Sequence, residues 1–374
     1  MKRLIPLLVA LGIAGLPALA SSYYFSPDVP TDLAGNTYLP WQIVRNDSGT
    51  FNAPAVLAQP PVTAIDSLHA MCSGKWLLSV EAPMDLPLGG GVYYEPWDVI
   101  EFDPPAGIYS LFFCGGPFGI PPGSDIDAAF LRGDDTADLV ISFDVPTDLT
   151  GLGGALYQPS DLVQLQRTGA ACNSWTIVGL FFDSTTSVPP IPDTTNVTGS
   201  DRHGGRTMLG FDVASDLPPP TTYLPGQVVF WAPLIPGFGL YDAPYGAQTT
   251  SRIDAFSFLP GPGEVPSMHV DKSSITAGDL TITWIASLSV GAEDYGIYEG
   301  TVSQPWGAYS HGAIDCHDDG TKFTEEITPA AGNRYYLVVA MNPNHEGSYG
   351  RRSSGAERPM GSSPCKPSQD FDCP

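Results

Sequence analysis

Positive charge is what this chain has least of: 16 Lys and Arg stand against 40 Asp and Glu, a formal net charge of −24. A surface so poor in cations repels phosphate backbones and anionic headgroups, which excludes nucleic acid as a partner. Beyond the first twenty residues, no apolar run approaches the roughly 20 residues that cross a bilayer as a helix, so no membrane span is expected. Helical periodicity is almost absent, and 41 Gly and 38 Pro punctuate the chain, which therefore reads as strands and turns throughout. Familiar catalytic signatures are missing too: there is no Gly-x-Ser-x-Gly elbow, His-Glu-x-x-His helix, phosphate-cradling loop or Cys-x-x-Cys pair.

What is present begins with a leader. "MKRLIPLLVALGIAGLPALA", residues 1–20, carries two cations, an apolar stretch and the small-x-small site Ala18-Leu19-Ala20, the pattern of a signal peptide. The expected location is secreted, extracellular or periplasmic, where cysteines can pair. Of six cysteines, Cys365 and Cys373 lie close together in a polar tail and are the expected disulfide; Cys72, Cys114, Cys172 and Cys316 receive no assignment.

The body repeats itself. "YFSPDVPTDL" at 24–33, "SVEAPMDL" at 79–86, "ISFDVPTDL" at 141–149 and "GFDVASDL" at 210–217 share one motif. Each is followed by a second: "YLPWQIV" at 38, "YEPWDVI" at 94, "YQPSDLV" at 157 and "YLPGQVV" at 223. An aromatic strand and a connection to a short "IDA"-type strand complete each unit, giving four strands per repeat, the content of a propeller blade. The first unit lacks the "IDA" strand and the last unit ends with an orphan one at 252–259. Joined, the two ends complete one blade and remove the open edges. The expected fold is therefore all-β: a four-bladed β-propeller over 21–262 with N/C-terminal strand closure. After a linker at 263–267 come a separate C-terminal domain over 268–352 and a Cys-containing polar tail over 353–374.

Two resemblances follow from particular stretches. "GIPPGSDIDAAFL" at 119–131, followed by a strand, a turn and an aromatic strand, resembles the blades of hemopexin-type four-bladed propellers, although "LVISFDV" and "DLVQLQ" replace the family's aromatic strands. "LTITWIAS" at 280, "DYGIYEG" at 294 and "NRYYLVVAMN" at 333 resemble the B, C and F strands of a fibronectin type III domain of secreted bacterial proteins. That resemblance implies an Ig-like sandwich with Trp284 as core tryptophan and Tyr335 or Tyr336 at the corner. It also implies that Cys316 lacks its usual partner, because Ser287 stands where the variant has Cys.

Candidate site residues come from breaks and constancies in the repeat. Asp66, Asp127 and Asp254 begin the inner strand of three units, with Thr195 at the fourth by ungapped alignment. The hemopexin resemblance implies an ion in the central channel there, held mainly through backbone carbonyls, and Ca²⁺ suits such oxygen ligands. Trp41 and Trp97 share a turn in two units and are candidate ligand-stacking platforms, or packing residues. Asp98 and Asp161 stand where the other two units carry Gln42 and Gln227, either as a carboxylate pair or as strand-start polar residues. Asp32, Asp85, Asp148 and Asp216, and Tyr38, Tyr94, Tyr157 and Tyr223, recur in every unit and are read as structural. "RGD" at 132–134 reads as a turn, "CHDDG" at 316–320 as a loop, and Asn46 and Asn196 sit in glycosylation sequons.

The expected function is non-enzymatic recognition or adhesion outside the cell. The propeller is the binding head for an extracellular glycan or protein, and the fibronectin-like domain is the spacer. The alternatives are a glycan-cleaving enzyme using carboxylates at the channel, and a structural envelope or matrix component.

Overall fold

The computed structural model describes residues 22–47, 49–56, 63–86, 93–132, 138–149, 155–187, 190–192, 194–203, 206–217, 221–231, 237–244, 251–287, 289, 291–302, 309–316, 321–352, 356–370 and 373. The leader, Gly133 and Asp134 of the "RGD" turn, and residues 317–320 of "CHDDG" lie outside them.

The described residues are all-β apart from one short 3₁₀ turn at Gly116–Phe118. Four antiparallel sheets of four strands each carry the repeats. The first joins Ile253–Phe258, Ser22–Pro27, Gln42–Asp47 and Thr50–Val56, so the last strand of the repeat region is the innermost strand of the first sheet. Its register pairs Tyr24 with Ser257 and Phe25 with Phe256, the joining of ends that the phase of the repeats demands. The second sheet runs Ile65–Ala70, Trp76–Val80, Val99–Asp103 and Ile108–Phe113. The third runs Ala128–Leu131, Leu139–Ser142, Leu162–Arg167 and Trp175–Phe182, and the fourth Val197–His203, Arg206–Phe211, Val228–Trp231 and Phe238–Asp242.

Separate apolar cores lie between successive sheets. Ile43 and Ala255 pack with Ile65 and Leu78 between the first and second, and Leu77 and Phe112 with Leu139 and Trp175 between the second and third. Phe130 and Leu162 pack with Leu209 and Phe211 between the third and fourth, and Met208 and Val228 with Phe25 and Phe256 between the fourth and first. Each sheet thus buries both faces, which is why second strands such as Trp76–Val80 and Leu139–Ser142 are buried at every position instead of alternating.

The repeated motifs now have physical reasons. Tyr38, Tyr94, Tyr157 and Tyr223 are buried, whereas Asp32, Asp85, Asp148 and Asp216 sit exposed on small two-stranded ribbons. The prolines of the second motif, Pro40, Pro96, Pro159 and Pro225, accept the N–H of Ile65, Ile126, Val197 and Ile253 at 3.1–3.2 Å. Gln42, Asp98, Asp161 and Gln227 each accept, through the side chain, the N–H three residues earlier, closing the same turn. In the two Asp units the second carboxylate oxygen also accepts Gly115 or Ser184 N–H. Asp or Gln serves the turn equally well, so this alternation is structural.

The C-terminal unit is two three-stranded sheets face to face: Met268–Lys272, Leu280–Trp284 and Thr324–Ile327 against Gly312–Asp315, Asp294–Thr301 and Arg334–Met341. Ile282, Trp284, Tyr295, Ile297, Val338 and Ala340 form the core between them. The tyrosines expected at a corner make other bonds: the Tyr335 hydroxyl meets Ser310 N–H and His311 Nδ1, and Tyr336 donates to Glu299.

The Gly/Pro segment between the units is a clamped joint. Leu259–Gly263 is buried, and the carbonyls of Pro260, Gly261, Pro262 and Gly263 accept from Asn342 Nδ2, Ser289 Oγ, Ser287 Oγ and Ser348 N–H. A Cβ on Gly347 would lie 1.9 Å from Gly263 O, so only glycine allows this approach.

The expected Cys365–Cys373 disulfide is corrected by the structure. Cys365 bonds Cys316, Cys373 bonds Cys72, and Cys114 bonds Cys172. The tail does not fold on itself: it runs from the sandwich back to the second sheet, so each of its cysteines meets a different body. Cys316 accordingly has a partner although Ser287 replaces the cysteine of the resembled family.

Candidate functional site: an acidic cavity at the start of the inner strands

The inner strands of the four sheets begin around one cavity of about 310 Å³, lined by Asp66, Glu81, Asp125, Asp127, Asp144, Asn196, Thr198, Arg252 and Asp254. Three tiers build it. The deepest is the residue after the apolar strand starter: Asp66, Asp127, Thr198 and Asp254, all buried. Above it lie the half-buried residues before that starter, Asp125, Asn196 and Arg252, with Ala64 at the fourth position. The outermost tier is the acid of the first repeated motif, Asp28, Glu81, Asp144 and Asp212. Asp28, Asp144 and Asp212 accept the N–H of Arg252, Asp125 and Asn196, which ties this tier to the one below.

A local irregularity aims the deepest tier inward. The strand register slips at Asp66, Thr198 and Asp254, a β-bulge in three of the sheets. In the third sheet Asp127 N–H reaches Ser142 O while Ala128 is also Ser142's ladder partner. A bulge re-aims a side chain without ending the strand. Small residues beside the bulges, Ser67, Ala128, Gly199 and Ala255, let the inner strands approach one another; a Cβ on Gly199 would fall 2.8 Å from the Phe256 ring. Hydroxyls stitch neighbouring sheets: Ser79 donates to Ile126 O and Ser142 to Val197 O.

The fourth candidate ligand moves. Because Val197 makes the proline-carbonyl bond of Ile65, Ile126 and Ile253, Thr198 is the equivalent of the three Asp, and the ungapped choice of Thr195 is three residues early. Thr195 instead pairs its hydroxyl with Ser215. Thr198 spends its own hydroxyl on Ile253 O, in the place where Gly210 supplies no serine.

Electrostatics make the cavity demanding. Six carboxylates line it against one cation, Arg252, whose Nε lies 2.9 Å from Asp254 and 3.7 Å from Asp28. Asp66, Asp125 and Asp127 bring one oxygen each within 4.8 Å of one another. Asp127 accepts from Asn196 Nδ2, but among the described residues nothing donates to Asp66 Oδ2 or Asp125 Oδ1. Burial, compounded by neighbouring carboxylates, pushes Asp66 and Asp127 well above the usual carboxylate range. Burial likewise raises Asp125 to about 7 and Asp254 to about 6. Without a counter-charge such groups hold protons; with one they ionise.

The remaining candidates lie elsewhere. Trp97 is half-buried and packs beside Gly115 and the core between the second and third sheets, and Trp41 is half-buried at the equivalent turn. Asn46 is buried and holds Asp242 and Gly49, while Asn196 faces the cavity, so both sequon side chains are engaged. At the opposite ends of the inner strands, His69, Leu131, Arg202 and Phe258 meet Pro260, Gly261 and the Cys72–Cys373 bridge, so the tail covers the end remote from the acids.

No family model and no curated protein matches this chain. Among solved structures that overlap it loosely are two examples. A protein of unknown function from Bacteroides caccae is 9% identical, with 78% of this chain and 71% of that one covered and a TM-score of 0.26. The FN1–FN3 domains of chicken CNTN1 are 11% identical, with 75% and 92% covered and a TM-score of 0.21. Overlaps this loose carry no argument about fold or function.

Sequence reading found Asp66, Asp127 and Asp254 but missed Glu81, Asp125, Asp144, Asn196 and Arg252. The signal for Glu81 and Asp144 was present: the acid of the "FDV" motif recurs in all four units. Nothing in the sequence announced Arg252.

Proposed function

We propose that this chain is a non-catalytic extracellular recognition protein whose head is a four-bladed β-propeller centred on a bound cation, with Ca²⁺ as the occupant. The fold reading is supported by the four equivalent sheets, the four apolar cores that link them in sequence, and the Tyr24–Ser257 pairing of first and last strands. The C-terminal sandwich is read as a fibronectin type III-like spacer joined at the far end. The observation that carries the functional reading is the cavity: six carboxylates, one arginine, and a fully shielded Asp66 oxygen with no donor. Asp66, Asp125 and Asp127 would supply oxygens to a hard divalent ion, with backbone carbonyls and water filling a coordination shell of roughly six to eight.

Thermal unfolding and calorimetry with CaCl2 test it. Ca²⁺ is expected to bind with one-to-one stoichiometry and raise the Tm, and Asp66→Asn with Asp127→Asn is expected to abolish both effects. No heat and no Tm shift in the parent protein would sink the cation reading. A glycan and protein array probed with the full chain, with and without Ca²⁺, then tests the recognition role.

A glycan-cleaving enzyme is the second reading, favoured by one observation: acids from three different sheets face one cavity. Two catalytic carboxyls flanking a sugar need roughly 5–10 Å between them. Asp66, Asp125 and Asp127 each bring an oxygen within 4.8 Å of the others, closer than that separation, which supports ion binding over cleavage. Release of reducing ends from polysaccharide by the parent chain but not by Asp66→Asn would reverse that preference.

A further inference from the structure

The cavity is larger than an ion needs. One water takes up about 30 Å³ of liquid, and the space here is about 310 Å³, the lower end of the range for organic ligands. Its inner part is the Asp66–Asp125–Asp127 cluster; the outer part, toward Glu81 and Asp144, is not needed by a single ion. An acidic space this much larger than one ion suits a cation carried on an organic stem better than a single bare metal ion.

The protein already contains one such occupant. Arg252 enters the wall from the closing strand, and its guanidinium satisfies Asp254 and approaches Asp28. The second and third sheets carry Ala64 and Asp125 at that position, so Glu81 and Asp144 have no equivalent internal partner among the cavity residues. The buried, donor-less Asp66 oxygen below them shows that a group other than the described residues completes the cavity.

We propose that the outer half of the cavity binds an organic cation, a guanidinium or primary ammonium on an aliphatic stem, with Glu81 and Asp144 holding the charged head. This rests on reading the cavity as a cation well and adds the class of ligand that enters it. A free small base and an arginine or lysine side chain of a partner offer the same chemistry.

Calorimetry on the full chain decides it, with N-butylguanidinium, its neutral counterpart N-butylurea, a capped hexapeptide with one central arginine, and CaCl2 as separate titrants. Expected are binding of the guanidinium but not the urea, and at least tenfold weakening of the guanidinium in Glu81→Gln/Asp144→Asn, a larger factor than the same change makes in Ca²⁺ affinity. Each single variant serves if the double one unfolds, since Glu81 is exposed and Asp144→Asn keeps a side-chain oxygen to accept Asp125 N–H. Tighter binding of the peptide would assign the ligand to a protein partner, and tighter binding of the free base to a small molecule; both support the shared chemistry. Ca²⁺ binding without guanidinium binding would overturn this inference and leave the cation reading standing, whereas failure of both ligands would remove both. Guanidinium binding unchanged in every variant would place it elsewhere and also overturn the proposal.

Discussion

At the scale of single residues, the fold turns on where a side chain is not allowed and where a charge is not answered. Gly347 is fixed by the carbonyl of Gly263 across the joint. Gly347→Ala is expected to cost about 1–3 kcal/mol through overpacking, read as a lower Tm with unchanged far-UV dichroism. Asp66 poses the opposite case, a group whose ionised form the folded chain alone does not support. Asp66→Asn keeps the shape and removes the charge, so the ligand-free variant is expected to be more stable than the parent at pH 8, by denaturant unfolding. In Ca²⁺ the order should invert. Equal stability at pH 8 with and without the substitution would mean that Asp66 carries no penalty there.

At the scale of elements, the closing strand Ile253–Phe258 has the most to do. It pairs with Ser22–Pro27, carries Asp254 and Arg252 to the cavity wall, and places Phe256 against Gly199. Phe256→Ala is expected to destabilise by about 3–5 kcal/mol, in the range of buried aromatic truncations. Hydrogen exchange should rise first along Ser22–Pro27 and Val197–His203, the two strands this ring bridges. Exchange rising evenly over the chain would argue against a separable closure. The bulges at Asp66, Thr198 and Asp254 show the same economy: a one-residue slip turns a strand residue into a cavity residue while the ladder continues on both sides.

For the whole molecule, two opposed pH dependences are expected. The cavity carboxyls have raised pKa values in the folded state, so the ligand-free protein loses stability as pH rises through about 6 and 7, where Asp254 and Asp125 ionise. At the joint, His203 is buried with its Nε2 3.1 Å from His345 Nε2, and burial holds its pKa well below the usual imidazole value. That group contributes stability above the unfolded-state value of about 6.5 and loses it as pH falls below. The two windows overlap between about pH 4 and 6.5, where several carboxyls outweigh the single histidine, so the ligand-free protein should lose stability from about pH 4 to 7, and Ca²⁺ should remove that loss and leave the opposite trend of His203. A calorimetric Tm profile from about pH 4 to 9 with and without Ca²⁺ checks both halves. The tail adds a covalent level. Cys373→Ser opens a link between positions 301 residues apart and is expected to cost about 2–5 kcal/mol and to expose the tail to proteolysis.

The sequence by itself determined the period, the four-strand content of each unit, and the pairing of first strand with last, because these follow from side-chain patterning and from the cost of an open sheet edge. It also located three of the deep acids, since Asp66, Asp127 and Asp254 recur at one place in the repeat. Tertiary structure alone decided the rest. Thr198 takes the place of Thr195 because the connection before the fourth inner strand is longer than an ungapped alignment allows, and a loop's length leaves no trace in the periodicity of the strands. Cys373 meets Cys72 and not Cys365 because the tail's path is set by what it packs against, Glu346 and the buried joint, and not by distance along the chain. The convergence of Glu81, Asp144 and Arg252 on Asp66 comes from strands of three sheets far apart in sequence meeting at one cavity, which no local pattern encodes.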